Sequence, residues 1–305
     1  MRLASVSVDL DEIPNYFQIY GLHEPVGPER HAVYDVAFER LSHFAEDAKL
    51  PLTLFAIGAD LARPEAAARL KQARADGHEI ANHSLDHRYD LVRLDKDEIR
   101  RQIDEGSQRI REATGERPVG FRAPGYTISD QVFRVLEELE FRYDSSVFPC
   151  PAYWGAKVTA ISWIALLGRR SRSIMDRPQV LLAPSTPYRV GEPYWRRGAG
   201  LLELPVQVTR GLRLPFYGTP VTLAGPVWAR RFAKMCVGEP LVNLELHGID
   251  VLDANDGIEA LRSHESNVHV PWARKVEALH AVVDVLREAG YTFVTLAEAA
   301  EQLGS

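Results

Sequence analysis

Hydrophobic and polar positions along the chain fall into short strand-like runs separated by longer helix-like ones. Alternation or compact apolar runs predict strands at Leu3–Asp9, Leu52–Ile57, Glu79–Asn82, Val119–Arg122, Leu201–Pro205, Val242–His247 and Thr292–Thr295. Helical spacing predicts helices at His31–Lys49, Pro64–Asp76, Asp95–Thr114, Ser129–Leu139, Val227–Cys236, Pro271–Ala289 and Leu296–Leu303. Asp95 and Ser129 stand where N-caps belong, and Gly77, Gly115 and Gly290 stand just past helix ends. Regular strand–helix alternation predicts an α/β fold with a mainly parallel sheet, and about seven such units favour a barrel over an open sheet. The rhythm breaks between about 150 and 225, a stretch rich in Pro, Tyr, Trp and Arg. Because alternation resumes at Val227, this stretch is read as an irregular insertion in a single 1–305 domain.

Composition narrows the function classes. With 46% hydrophobic and 26% charged residues among 305, the chain has the balance of a globular protein with a sizeable core. A net charge of -6 argues against nucleic acid, which wants a basic footprint. Two cysteines, Cys150 and Cys236, make no disulfide framework. No signal-like run opens the sequence and no apolar stretch reaches the ~20 residues of a membrane span, so the expectation is a cytoplasmic protein. One local exception is 161–172, which is apolar and then basic. It reads either as a helix lying over the barrel or as a peripheral contact with the inner membrane face.

The densest polar cluster is Gly-His-Glu-Ile-Ala-Asn-His-Ser-Leu-Asp-His at 77–87, where His83 and His87 follow a predicted strand. Two imidazoles four residues apart can turn toward one ion, although an ordinary polar loop has the same appearance. A second motif, Asp9-Leu-Asp11, ends the first strand and puts two carboxylates on one side of an extended chain. It could complete a metal site and leave one carboxylate as a base; alone, it reads equally as an acidic turn. Arg122, Asp144 and His247 also stand at strand ends, which form the active-site face of α/β barrels. Their recurrence there gives each weak motif weight. Leu252–Gly257 superficially has the look of a calcium loop, but its spacing is wrong and it reads as a turn.

In order, Asp-x-Asp, Gly-His-Glu-Ile-Ala-Asn-His-Ser-Leu-Asp-His, Arg-Ala-Pro and a late strand ending in His resemble the polysaccharide deacetylase (NodB-homology, carbohydrate esterase family 4) superfamily, in an Asp-x-Asp variant branch. The resemblance implies a distorted (β/α)7-type barrel and metal-dependent removal of an N-acyl group, acetyl or formyl, from an amino sugar. It assigns the metal to Asp11, His83 and His87, the general base to Asp9 and the orientation of that base to Arg122. His247 becomes the acid that protonates the leaving amine, with Asp144 holding it charged; Gly125, Tyr126 and Leu246 border the substrate. Two histidines and a carboxylate suit zinc and also accept cobalt, nickel, manganese or iron. The chain departs from the usual pattern in four places: Leu10 between the aspartates, Gly125 where an aromatic follows the proline, no tryptophan soon after Asp144, and Glu245 in place of Leu two residues before His247. The implied substrate is an amino sugar, soluble or lipid-linked. Kept beside it are hydrolysis of a small non-sugar amide, in the manner of allantoinase-like relatives, and a non-catalytic glycan-binding descendant.

Overall fold

The computed structural model describes residues 2–304. Among these residues nine strands form one sheet: β1 (Leu3–Asp9), β2 (Leu52–Ala56), β3 (Glu79–Asn82), β4 (Gly120–Phe121), β5 (Tyr143–Asp144), β6 (Tyr188–Val190), β7 (Arg197–Glu203), β8 (Leu241–His247) and β9 (Thr292–Phe293). The order is β6-β7-β5-β4-β3-β2-β1-β8, with β9 beside the start of β1. All pairings are parallel except β6 with β7. The sheet curls into a half-barrel, and among the described residues β8 meets the far side only through the single bridge Tyr217–Glu245. This is the expected distorted α/β barrel.

Among the described residues nine α-helices surround or cap it: α1 (Ile13–Tyr20), α2 (Phe38–Asp47), α3 (Pro64–Ala75), α4 (Lys96–Thr114), α5 (Asp130–Glu138), α6 (Pro151–Leu166), α7 (Gly218–Cys236), α8 (Trp272–Glu288) and α9 (Leu296–Gly304). The predicted caps form: the Asp95 carboxylate accepts from the Glu98 amide at 2.9 Å, and Ser129 Oγ accepts from the Val132 amide. Gly115 closes α4 at φ 85°, a left-handed geometry that a side chain would strain.

Strand parity divides the core into two. On β1, Ala4, Val6 and Val8 face the helices, as do Val242, Leu244 and Leu246 on β8, all within one large apolar cluster. The alternate positions Ser5, Ser7, Asp9, Asn243 and Glu245 are buried without joining it. A barrel interior lined this way is unusually polar, and it is where the chemistry-bearing residues collect.

The 150–225 stretch is more regular than its composition implies. It holds α6, the antiparallel β6–β7 hairpin and the first turns of α7. Strand β7 is part of the barrel itself, pairing Leu202 with Tyr143 and Glu203 with Asp144. Helix α7 begins nine residues before the expected Val227, with a break at Gly225 (φ 74°) ahead of Pro226. The pattern therefore locates the second segment of a broken helix, because Pro226 is a helix-starting residue with no amide to donate.

Candidate metal centre and active site

Register brings the strand-end residues together. Asp9 on β1 stands opposite His247 on β8, and Ser7 opposite Glu245. Leu10 carries the chain outward into the core, and Asp11 returns to the barrel mouth. The loop after β3 is shaped by Asn82, whose Oδ1 accepts from the Ser84 amide and whose Nδ2 donates to Ile103 O and Ser107 Oγ of α4. Ser84 and His87 both adopt left-handed backbone (φ 69° and 50°), and Ser84 Oγ accepts from the His87 amide. These turns aim both imidazoles at one carboxylate. Helix α4 can approach that loop because position 106 is glycine, where a Cβ would lie 3.0 Å from the Ser84 carbonyl carbon.

His83 Nε2 lies 3.3 Å from Asp11 Oδ1, and His87 Nε2 lies 3.2 Å from Asp11 Oδ2. His83 Nδ1 is 2.7 Å from the Arg122 carbonyl oxygen, an acceptor only, so the proton of a neutral imidazole sits on Nδ1 and a lone pair on Nε2. Asp11 Oδ1, His83 Nε2 and His87 Nε2 are buried without a hydrogen-bond partner. Burial raises the Asp11 carboxyl, but His87 and His83 outweigh it and hold the group well below the usual carboxylate range. Three potential ligand atoms converging in a buried site, without other hydrogen-bond partners, fit a divalent cation. Asp11, His83 and His87 could hold one.

Asp9 sits between this triad and His247. Its Oδ2 is 3.7 Å from His83 Nε2 and 3.9 Å from His247 Nε2, and its Oδ1 accepts from Arg122 Nη1 at 2.6 Å. Arg122 is wholly buried, with Nε donating to Ser145 O and Nη2 to Ser7 Oγ and Ser145 Oγ, while its guanidinium lies 4.0 Å above the Phe55 ring. A buried charge survives only when paired and hydrogen-bonded, and here the fork is nearly filled. The arrangement fixes Asp9 Oδ1 and leaves Oδ2 facing the mouth.

His247 is 21% exposed, the most open of these groups. Its Nε2 lies 3.4 Å from the Tyr126 hydroxyl, and its Nδ1 lies 3.1 Å from Glu245 Oε1. Burial lowers the imidazole, yet Glu245, then Asp9 and Asp11, reverse the balance and raise it to about 9.

Two expected neighbours of the site are placed elsewhere. Asp144 does not reach His247: its oxygens accept from the Ser146 amide and hydroxyl, while Glu203 lies beside it with a carboxyl pushed well above its usual range by burial and by Asp144. Ser146 Oγ in turn accepts from the Ala123 amide, so Asp144 braces the Arg122 loop instead of the imidazole. The carboxylate on His247 is Glu245, from the same strand and two residues earlier, hence the same face. Its signal was in the sequence, as the polar residue displacing Leu at that place. Leu246 has the opposite parity and is fully buried in the helix-facing core, so it cannot border a substrate. Tyr126 does stand at the site, its ring 5.9 Å from His247 and 5.8 Å from Tyr153 of α6. Gly125 lies behind it, with its carbonyl accepting from Lys157 Nζ at 2.8 Å.

Comparison with known proteins gives a sequence match over part of the chain and a shared fold. The polysaccharide deacetylase family profile matches residues 33–143, which include His83, His87 and Arg122 but neither aspartate of the first motif nor His247. A peptidoglycan deacetylase-like protein of Gibberella zeae is 39% identical over 71 residues, 23% of this chain and 21% of the relative, so the match spans about a fifth of that protein. By fold, a candidate polysaccharide deacetylase from Mycobacterium smegmatis superposes with a TM-score of 0.53 at 18% identity, covering 95% of this chain and 92% of its own. A family 4 carbohydrate esterase pseudoenzyme from Bacillus anthracis superposes at 0.52 and 13% identity, covering 98% of this chain and 65% of its own. Among the described residues, no helix is long and apolar enough to cross a membrane. By sequence the chain matches the polysaccharide deacetylase family over 33–143, and over nearly its whole length it shares the fold of a solved structure described as a candidate polysaccharide deacetylase.

Proposed function

We propose that the protein is a metal-dependent hydrolase that removes an N-acetyl or N-formyl group from an amino sugar. The observation that carries the reading is the convergence of a buried Asp11–His83–His87 set with the Asp9 carboxylate and, beyond it, the raised His247 imidazole. A divalent ion held by Asp11, His83 and His87, zinc being the best match to the donors, would supply Lewis acidity toward water and the substrate carbonyl.

The chain's own residues divide the proton work. Asp9 Oδ2 faces the mouth and takes the proton of the attacking water, while Arg122 keeps the carboxylate oriented. His247 Nε2 gives a proton to the departing nitrogen, which an amide needs because its amine is a poor leaving group. Glu245 keeps that imidazole charged, and the Tyr126 hydroxyl limits how it turns.

Fold alone does not separate an enzyme from a binding descendant, since a pseudoenzyme shares it. What favours catalysis is that a glycan-binding module needs neither base nor acid. Amine release is measured on N-acetyl and N-formyl amino sugars, free and lipid-linked, and on small non-sugar amides, with metal supplied. Release from a sugar is expected; release only from the non-sugar amides transfers the site to that class, and none at all refutes catalysis. Asp9→Asn should abolish release with bound metal retained, whereas His83→Ala and His87→Ala should lose the metal itself. Loss of metal in Asp9→Asn would exchange the roles of Asp9 and Asp11.

A further inference from the structure

Helix α6 inverts the usual surface pattern. A surface helix turns its polar face to water, yet Ala156, Ala160, Trp163 and Leu167 form an exposed apolar stripe, flanked by Ala152 and Leu166. Trp163, Leu166 and Leu167 are 61%, 79% and 54% exposed, and Ile164 is the only buried residue of the helix. From Pro151 to Leu167 the one charged side chain is Lys157, which is turned inward onto the Gly125 carbonyl. Gly168 (φ 72°) ends the helix, and Arg169, Arg170 and Arg172 follow outside it, exposed and without a carboxylate partner among the described residues. Arg172 is tied back to Gln18, which fixes the basic segment beside the apolar tip. In a chain of net charge -6, such a cationic cluster is a local exception.

We infer that the exposed stripe of α6 and the arginines after it dock the protein on an anionic lipid bilayer. The chemistry fits that occupant: a tryptophan and two leucines enter the headgroup–acyl boundary while guanidinium groups at the same end meet phosphates. Position adds a consequence. The inward side of the same helix presents Tyr153 to Tyr126, which touches His247, so docking would bring the mouth of the site to the membrane surface. The inference concerns a surface and stands whatever the site hydrolyses.

The test is co-sedimentation of the full chain with phosphatidylcholine vesicles, with and without about a third of phosphatidylglycerol, together with light scattering of the protein alone. Two variants at exposed positions keep the fold, checked by their melting curves: Trp163→Ser with Leu166→Ser, and Arg169→Ala with Arg170→Ala. Expected are a monomer, binding to the anionic vesicles, a loss of roughly twenty- to thirtyfold without the two arginines (about fivefold each) and at least tenfold without the apolar pair. Absence of vesicle binding overturns the inference, and so does binding that both variants leave intact. A dimer that Trp163→Ser with Leu166→Ser disperses, with no vesicle binding, assigns the face to a second copy and overturns it too.

Discussion

Replacing Glu245 by glutamine removes one negative charge from beside His247 and keeps the side chain's shape. Burial drives the imidazole down from its ordinary 6.5, and Glu245 is the largest of the charges that bring it to about 9. Without that charge the value should return to its ordinary range or below. An imidazole with pKa about 9 is ~97% protonated at about pH 7.5, and one at 6.5 is ~9% protonated, a roughly tenfold loss of the acid form. A raised histidine pKa keeps its charge, and the stability that goes with it, below 6.5 and loses both as pH rises through about 9. Glu245→Gln should therefore move the alkaline limb of kcat toward acid by about two and a half pH units and spare the rate at low pH. A bound cation shifts wild type and variant in the same direction, so the difference between them is the quantity to read. The assay is the pH profile of amine release, paired with NMR titration of the His247 imidazole in both proteins. Asp144→Asn, which removes the carboxylate expected from the family resemblance, should leave the limb in place. An unmoved limb in Glu245→Gln, or a shift in Asp144→Asn alone, refutes the pairing seen here.

Two further outcomes test the frame around the site. Arg122→Met leaves Asp9 as an uncompensated buried carboxylate and should lower unfolding free energy by roughly 3–5 kcal/mol in urea titrations; a loss under 1 kcal/mol would mean that water or another cation already screens Asp9. Leu246→Ala should cost roughly 2–5 kcal/mol of stability while leaving KM of the folded fraction unchanged, because the side chain lies in the helix-facing core; a raised KM would return it to the substrate.

Much of the site is set by local sequence. Asp9, Asp11, His83, His87, Arg122 and His247 are legible because each ends or follows a strand whose apolar alternation is visible, and because their joint recurrence at strand ends gives weight to motifs that are weak alone. Strand parity already turns Leu246 to the helix-facing side, since neighbours of His247 in a strand point away from it. The helix α6 was legible only as a composition, since a helix apolar on all sides has no periodic face to detect.

The amino-acid sequence by itself determined the alternation of strands and helices, the caps that bound them and the residue types at the strand ends, all of which depend on neighbours a few positions apart. Which carboxylate serves His247 was decided only in the folded barrel. Strand order sends Asp144 to Glu203 and Ser146, while the β1–β8 register seats His247 over Asp9 with Glu245 on the same inner face. Strand parity alone makes Glu245 available to His247, but whether Asp144 reaches the same imidazole depends on strand order and register, which no local pattern encodes.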